Sequence, residues 1–310
     1  MVSAALILSA ICAAFPDVGP ASLPADSQLT AELRQLLARM NVGPQVAHQH
    51  FAVSLVDLTD ESNPRYAGIN DEVMMYAASL PKIAILLTGF EEIRAGRLPY
   101  NQTVRDTFIR MARYSSNTDA SAAARWVGFE RIAETLTSPK YQFYDPKRNG
   151  GIWVGKAYGG PGDAWKRDPL HRLSHGATTL QIARFFTMLA QDKLVDPEHC
   201  RQMKEVLSKP GINHKFVKGL SGIPGVTMYR KSGTWRDWHS DGALVECNGH
   251  RYVLAALTED PDGGKLLEKL AAGAHEIVCS RHGADATNPV ATAELPSRST
   301  PRSAGVHTPN

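Results

Sequence analysis

The chain has 310 residues, of which 43% are hydrophobic and 21% are charged, so it can form one large globular domain with a substantial core. The formal net charge is only +3 at pH 7 with histidine counted as neutral, and the basic residues are scattered. This balance argues against a nucleic-acid groove, because such a groove needs clustered Lys and Arg. Nucleic acid is therefore not expected as a partner.

The N-terminus carries a leader pattern. Residues 2–15 form an apolar run too short to span a bilayer, and small residues and prolines follow it. We predict an export signal and linker over residues 1–27, hence a periplasmic or secreted protein with no membrane span in its mature form. Because no basic residue precedes the run, a frayed apolar leader or a wrongly assigned start is the alternative. Cys12 could carry a lipid, but the bulky Ile11 before it favours simple export.

The next stretch predicts a helix, a hairpin and a buried helix. A leucine stripe at helical spacing predicts an amphipathic helix over residues 27–40. Residues 51–58 alternate in polarity as a strand does, and residues 65–69 are the predicted partner strand. A run of Ile, Leu and Phe then recurs at helical spacing, which predicts a buried helix that begins at or just before Ser79.

The middle of the chain reads as helical with one long interruption. Residues 103–112 predict another amphipathic helix, the polar cluster at 114–119 predicts a turn and a cap, and an Ala-rich helix follows over 120–127. Residues 137–176 hold seven glycines and look irregular, which is typical of a functional or mobile loop. A helix is predicted again over residues 180–189.

The last part predicts three consecutive antiparallel strands and a closing helix. The strands are expected at residues 226–234, 242–247 and 250–257, the last two joined by an Asn-Gly hairpin turn. Residues 266–278 carry an apolar stripe and predict a helix.

These elements predict one domain over residues 28–282. Residues 28–78 and 215–282 would form its sheet with terminal helices, and residues 79–214 its helical part. The remainder, residues 283–310, is rich in Ala, Thr, Pro and Ser and is predicted to be a disordered tail.

Cysteine and histidine usage gives no metal site. Three cysteines follow the leader: Cys200, Cys247 and Cys279. They are far apart and lack ligand spacing, so we interpret them as small buried apolar residues with at most one disulfide. Two histidine pairs have ligand-like spacing, but no Cys or carboxylate pattern joins them, so no metal ion is predicted.

Ser79 and Lys82 carry the first chemical signal. They lie three residues apart at the start of the predicted buried helix, with Pro81 in its first turn. Burial and the positive helix N-terminus both favour a neutral amine, which can accept the proton of a neighbouring hydroxyl. Ser79 is therefore a candidate nucleophile and Lys82 its candidate base, although one Ser-x-x-Lys motif occurs by chance in many helices.

Two further motifs follow along the chain. Ser115-x-Asn117 lies on a predicted loop between helices, and Lys231-Ser232-Gly233 lies at the end of a predicted strand before a hairpin. With these three motifs the chain resembles the class A β-lactamase-like serine hydrolases of the β-lactamase and penicillin-binding protein superfamily, over about residues 28 to 280. The resemblance implies an α/β (α+β) fold. In that fold, terminal helices pack on an antiparallel sheet of about five strands beside an all-helical block, and no metal or cofactor is needed.

The resemblance also implies catalytic roles. Ser79 would attack an acyl carbonyl, and Lys82 would accept its proton. Ser115 would relay a proton to the leaving nitrogen. Lys231 would hold both Ser115 and the substrate carboxylate by its charge.

Substrate binding follows from the same resemblance. Asn117 would hold the substrate amide, while Ser232 and Thr234 would offer hydroxyls to its carboxylate. The backbone amides of Ser79 and Thr234 would form the oxyanion hole, and Gly233 would let the substrate approach the strand edge.

Two features depart from the family pattern. The spacing from Ser79 to Ser115 is short, so part of the helical block is expected to be missing and one wall of the cleft to be open. Ser116 replaces the Asp of the family's Ser-Asp-Asn motif, which is expected to alter packing beneath that loop more than chemistry.

The family's deacylating glutamate has no counterpart, since no glutamate lies between residues 134 and 198. The titratable groups available in the loop before the predicted helix at 180–189 are Asp163, Asp168, His171 and His175. Each of them also reads as a loop cap or a surface residue, so none is preferred.

We therefore expect a serine hydrolase that is acylated at Ser79 and performs β-lactamase-type hydrolysis of a β-lactam amide. A DD-peptidase or esterase of the same fold is the first alternative. The second is a penicillin-binding or sensor protein that is acylated without turnover. The expected partner is a small β-lactam, peptide or ester, and the protein is expected to be a monomer.

Overall fold

A computed structural model describes residues 25–160, 162 and 164–285, with side chains described as far as Cys279. The predicted leader, the deacylation candidate Asp163 and nearly all of the predicted tail lie outside the described residues.

More of the described residues lie in helices than in strands. They are α1 (Ser27–Arg39), α2 (Gly43–Ala47), α3 (Lys82–Arg94), α4 (Gln102–Arg113), α5 (Asn117–Val127), α6 (Phe129–Thr137), α7 (Thr179–Ala190), α8 (Pro197–Leu207), α9 (Phe216–Gly219) and α10 (Gly263–Asp285). No described helix is long and apolar enough to cross a membrane.

The strands fall into one large sheet and two small ones. They are β1 (Phe51–Asp57), β2 (Arg65–Ile69), β3 (Met75–Tyr76), β4 (Tyr144–Asp145), β5 (Gly150–Gly151), β6 (Trp153–Val154), β7 (His175–Ala177), β8 (Thr227–Trp235), β9 (Trp238–Cys247) and β10 (His250–Glu259).

The large sheet has the order β2-β1-β10-β9-β8, and each neighbouring pair is antiparallel. Its side chains alternate between two apolar layers because successive residues of a strand point to opposite faces. In β1, for example, Val53 and Leu55 face one layer while Ala52 and Val56 face the other. Strand β8 lies at the edge of the sheet, so no other strand of this sheet pairs with its outer side.

The two apolar layers are built from different parts of the chain. One layer packs the terminal helices α1 and α10 onto the sheet, through side chains such as Leu33 and Leu270. The other packs the helical block, through α3 and α7, onto the opposite face. The predicted five-stranded antiparallel sheet with its terminal helices is confirmed.

The start of the buried helix was predicted wrongly. Helix α3 begins at Lys82, and Ser79 lies in the turn before it. There the amide of Leu80 donates to Ala77 O at 3.0 Å and the amide of Lys82 donates to Ser79 O at 3.3 Å. These hydrogen bonds join residues three apart, so the chain enters the helix through a 3₁₀-type turn. Apolar residues continue through such a turn, so their spacing does not show where the turn ends and the helix begins.

The stretch over residues 137–176 is less irregular than predicted. Strands β4, β5 and β6 lie within it, and β7 begins at its end. Strand β7 pairs with β3 on one side and β6 on the other, which ties this segment to the chain just before Ser79. Two-residue strands have no usable sequence period, so they were not predicted.

Candidate active site

Ser79 lies between strand β3 and helix α3 and remains partly exposed. The preceding residue, Ala78, has φ +49°, a left-handed conformation that is unfavourable for a residue with a Cβ atom. This turn lifts Ser79 out of the strand direction toward the edge of the large sheet. Strain of this kind at an exposed serine is common at functional sites.

Lys82 is almost fully buried at the first turn of α3. Its Nζ donates to Ser115 O at 2.6 Å and to Asn117 Oδ1 at 2.8 Å, and it lies 3.3 Å from Ser116 O. Burial lowers the pKa of Lys82 to about 7, and the carboxylate of Asp119 opposes this with a smaller effect. A large share of this amine is therefore neutral at physiological pH.

The loop between α4 and α5 presents Ser115 and Asn117 to this lysine. Ser115 has φ +56°, a second left-handed residue in the site. Ser116 caps α5 by accepting the amide of Asp119 at 3.2 Å, and its hydroxyl donates to the carboxylate of the same residue at 2.6 Å. The cap predicted within the cluster at 114–119 is thus Ser116, while the side chains of Ser115 and Asn117 point to the lysine.

Lys231 approaches the same loop from strand β8. Its Nζ donates to Ser115 Oγ at 2.9 Å and to Ser232 O at 2.6 Å. Burial lowers the pKa of Lys231 well below its usual value, and the positive charge of Lys82 lowers it further. Ser115 Oγ also lies 3.5 Å from Lys82 Nζ, so the two lysines meet on one hydroxyl.

Gly233 brings strand β8 against the Ser79 turn. A Cβ atom at this position would lie 2.3 Å from Ala77 O and 2.6 Å from Ser79 N, closer than side chains come to backbone atoms. Only glycine permits this approach. The residue after it, Thr234, is exposed at the edge of the cleft.

Ser232 and Thr234 are supported by a segment that sequence reasoning missed. His214 Nε2 lies 3.2 Å from Ser232 Oγ, and Lys215 Nζ donates to Thr234 Oγ1 at 2.8 Å. Burial, together with the smaller effect of the Arg230 charge, lowers the pKa of His214 to about 4. Nothing in the local sequence marks residues 214 and 215, because they reach the site only through the fold.

Asp168 is held within its own loop. It is buried, and it accepts hydrogen bonds from Tyr144 Oη at 3.0 Å, from His171 N at 2.9 Å, and from the amides of Leu170 and Leu173. The side chain of His171 is exposed. Among the described contacts, none joins Asp168 or His171 to Ser79 or Lys82.

An aromatic pair occupies the space beside Lys82 instead. The ring of Tyr158 lies 4.6 Å from Lys82 Nζ, and the ring of His175 lies 4.2 Å from that of Tyr158. Burial lowers the pKa of His175 to about 4, so its imidazole is neutral at pH 7. Its Nε2 lies 3.0 Å from Lys156 O and must carry the proton, which leaves Nδ1 to accept from Ser174 at 3.3 Å. Tyr158 lies in the glycine-containing stretch over residues 137–176, where nothing in its local sequence distinguishes it as a site residue.

Metal ligands are not clustered in the described part of the chain, where no group of three or more His, Cys, Asp or Glu side chains could hold an ion. The described cysteines are all free thiols. Cys200 and Cys247 are buried, which confirms the interpretation for these two, whereas Cys279 is only partly buried and the interpretation is wrong for it.

Comparisons with known proteins agree with the fold. A solved β-lactamase from Sphaerobacter thermophilus is similar with a TM-score of 0.63 and 14% identity, over 79% of this chain and 98% of that one. A point mutant of PBP-A, solved as an acyl-enzyme complex with penicillin G, is similar with a TM-score of 0.64 and 15% identity, over 83% and 98% of the two chains.

A third solved structure, a representative class A β-lactamase from Bacteroides cellulosilyticus, is similar with a TM-score of 0.61 and 12% identity, over 81% and 99% of the two chains. No curated protein matches the chain by sequence. The model of the beta-lactamase enzyme family, in contrast, matches residues 28–278. The chain therefore belongs to the beta-lactamase enzyme family.

Proposed function

We propose that this protein is a serine hydrolase that is acylated at Ser79 by a β-lactam amide. The convergence of Lys82 and Lys231 on Ser115, beside the Ser79 turn, carries the proposal. Two amines with lowered pKa values around one hydroxyl form a path along which a proton can move.

In the first step, Ser79 Oγ attacks the acyl carbonyl and its proton passes to Lys82. A neutral amine has two N–H bonds and one lone pair. The two shortest contacts of Lys82 Nζ, to Ser115 O and to Asn117 Oδ1, use both N–H bonds. The lone pair is then left to accept the proton of Ser79.

The negative charge on the carbonyl oxygen is stabilised by the amides of Ser79 and Thr234, at the place where Gly233 keeps the two segments close. When the tetrahedral intermediate collapses, the carbon–nitrogen bond breaks and Ser115 gives a proton to the leaving nitrogen. Lys82, which has taken the proton of Ser79 and lies 3.5 Å from Ser115 Oγ, supplies the replacement proton, while Lys231 holds that hydroxyl by a hydrogen bond of 2.9 Å. The product of this step is an ester on Ser79.

Lasting acylation without rapid turnover is the second candidate function. It is favoured by the surroundings of Lys82, where the ring of Tyr158 and a neutral His175 stand beside the amine. Asp168 is committed to hydrogen bonds within its loop. Asp163, outside the described residues, and His171, whose side chain is exposed, remain the other proposed bases for the water that would release Ser79.

Intact-protein mass spectrometry with benzylpenicillin tests both functions. A stable increase of one penicillin mass indicates acylation without turnover, and a transient increase with release of the hydrolysed product indicates a β-lactamase. The matched control is Ser79→Ala, which must form no adduct. An adduct on that variant, or neither adduct nor hydrolysed product with the wild-type protein, would refute acylation at Ser79.

The peptidase and esterase alternatives use the same first step with other leaving groups. Incubation with a peptide that ends in D-Ala-D-Ala and with a simple aryl ester, followed by product analysis, separates them from β-lactam hydrolysis. The protein is proposed to work as an exported monomer, which size-exclusion chromatography with light scattering checks for the assembly state.

A further inference from the structure

The ring of Tyr158 lies over the Lys82 amine, and the proposed acylation step does not use it. The ring centroid is 4.6 Å from Lys82 Nζ. An aromatic face attracts a cation at distances up to about 6 Å, because the face of the ring carries negative charge density. Tyr158 comes from the segment between β6 and β7, so the fold alone brings this ring to α3.

The backbone and the ring of Tyr158 are both fixed. Ser121 Oγ accepts from Tyr158 N at 2.9 Å and donates to Tyr158 O at 2.9 Å, so one hydroxyl of α5 holds the residue at two atoms. The ring packs on His175 with 4.2 Å between the ring centroids, and Nε2 of this histidine lies 3.0 Å from Lys156 O. The ring is therefore held in its place beside the amine.

The residue after Tyr158 brings the same segment against an acceptor of the amine. Gly159 has φ +78°, and a Cβ atom there would lie 3.0 Å from Asn117 Cβ. Asn117 Oδ1 in turn accepts from Lys82 Nζ at 2.8 Å. The amine is thus bounded by hydrogen-bond acceptors and by an aromatic ring that pack against each other's segments.

The aromatic face, and not the hydroxyl, is the part of Tyr158 that can act on Lys82. Tyr158 Oη is buried and has no hydrogen-bond partner among the described residues. Burial raises the pKa of Tyr158 well above its usual value, and Tyr76 adds a smaller effect, so the phenol stays uncharged. A neutral ring attracts an ammonium group more strongly than a neutral amine.

The other groups that face the amine act in both directions. Burial lowers the pKa of Lys82 to about 7, and the carboxylate of Asp119 on α5 opposes this effect. Lys231 on β8 and Lys82 repel each other when both are charged. His175 on β7 is neutral at pH 7, because burial lowers its pKa to about 4. The ammonium form is therefore favoured by one carboxylate and one ring, against burial and a second lysine.

We propose that Tyr158 is a positioning residue for Lys82, because its fixed ring favours the ammonium form and so sets the pH at which Lys82 begins to act as a base. The inference rests on the proposed acylation at Ser79. It predicts that a weaker attraction by the ring leaves Lys82 neutral at lower pH, so that acylation begins at lower pH.

The test weakens the attraction of the ring while keeping its shape. The measured quantity is the pH midpoint of the second-order constant for acylation by benzylpenicillin. Tyr158→Phe keeps the aromatic face and should keep the wild-type midpoint. Tyr158→Leu removes the face and should lower the midpoint by about 0.4 to 1.5 pH units, which corresponds to the usual strength of a cation–π contact. Trifluorophenylalanine at position 158 withdraws charge density from the face and should lower the midpoint in the same direction.

Phe90→Leu is the matched control. Phe90 is fully buried on the same helix as Lys82 and belongs to the same apolar layer as Tyr158. Its replacement removes a buried ring of similar size, so it should lower the stability but leave the pH midpoint unchanged. Trifluorophenylalanine, which has nearly the shape of the native ring, decides the question if Tyr158→Leu does not fold.

An NMR titration of the Lys82 side chain in Ser79→Ala measures the same effect without acylation. A lower titration midpoint with trifluorophenylalanine at position 158 supports the action of the ring on Lys82. An unchanged or higher midpoint overturns the role of Tyr158 while acylation at Ser79 stands. A wild-type protein that benzylpenicillin does not acylate overturns the proposed function, and the titration in Ser79→Ala still decides whether Tyr158 acts on Lys82.

Discussion

Replacing Gly233 by alanine is the sharpest test of how the site is built. The added Cβ atom would lie 2.3 Å from Ala77 O, 2.6 Å from Ser240 Oγ and 2.6 Å from Ser79 N. Two of these atoms are backbone in the strained turn that carries the nucleophile, so they cannot rotate away. Strand β8 and the Ser79 turn must therefore separate, by several tenths of an ångström or more.

The magnitude follows from overpacking a site without free space. An added methyl group at such a site lowers the free energy of unfolding by about 1–3 kcal/mol. For a domain of this size, that loss lowers Tm by about 2–12 °C. Separation also moves the Ser79 amide away from strand β8 and so removes one oxyanion donor. The loss of one such donor lowers the acylation constant about 100- to 1000-fold.

Thermal unfolding and benzylpenicillin acylation, measured on the same preparation, check both effects. Gly43→Ala is the matched control, because a Cβ atom at Gly43 would meet nothing within 4 Å. That variant should unfold and react as the wild type does. If Gly233→Ala also keeps both the wild-type Tm and the wild-type acylation constant, the close approach of β8 to Ser79 is not as described and the proposed oxyanion hole fails with it.

Three other predictions concern single side chains. The acylation constant should rise with pH and level off above about pH 7, because only neutral Lys82 accepts a proton. Lys82→Met should lower the acylation constant about 10²- to 10⁴-fold. A constant that does not change between pH 5 and 9 would contradict the role of Lys82 as the base. Asp168→Ala should lower the free energy of unfolding, measured in urea, by about 1–3 kcal/mol, because it leaves buried donors without an acceptor. An unchanged midpoint of urea unfolding would show that the loop does not depend on the Asp168 carboxylate. Arg230→Met should lower the free energy of unfolding by about 3–5 kcal/mol, because it leaves Asp241 buried without its ion-pair partner. Adding Asp241→Leu should restore part of that free energy. No recovery would argue against a stabilising ion pair between the two residues.

Local sequence signals were sufficient to predict the β9–β10 hairpin and several of the long helices. The Asn-Gly turn and the alternating strands on both sides of it predicted the β9–β10 hairpin, and the apolar stripes predicted α1, α7 and α10. These features depend on neighbours a few residues apart. The start of α3 was placed wrongly because its entry turn is as apolar as the helix itself.

The order and types of residues in three short motifs also determined the family, which the match over residues 28–278 confirms. The motifs named Ser79, Lys82, Ser115 and Lys231 as site residues before any geometry was available. Their chemical roles stay predictions, but the fold places Lys82 and Lys231 within 3.5 Å and 2.9 Å of the same Ser115 hydroxyl.

Only the tertiary structure revealed what surrounds those residues. Lys215 meets Thr234, and Tyr158 meets Lys82, across long stretches of chain that no periodicity connects. The pKa of Lys82 likewise depends on burial by distant segments, and the strained turns at Ala78 and Ser115 depend on what packs around them. Sequence determined which groups are present in this protein, and the fold decided which of them are buried together and how their protons are held.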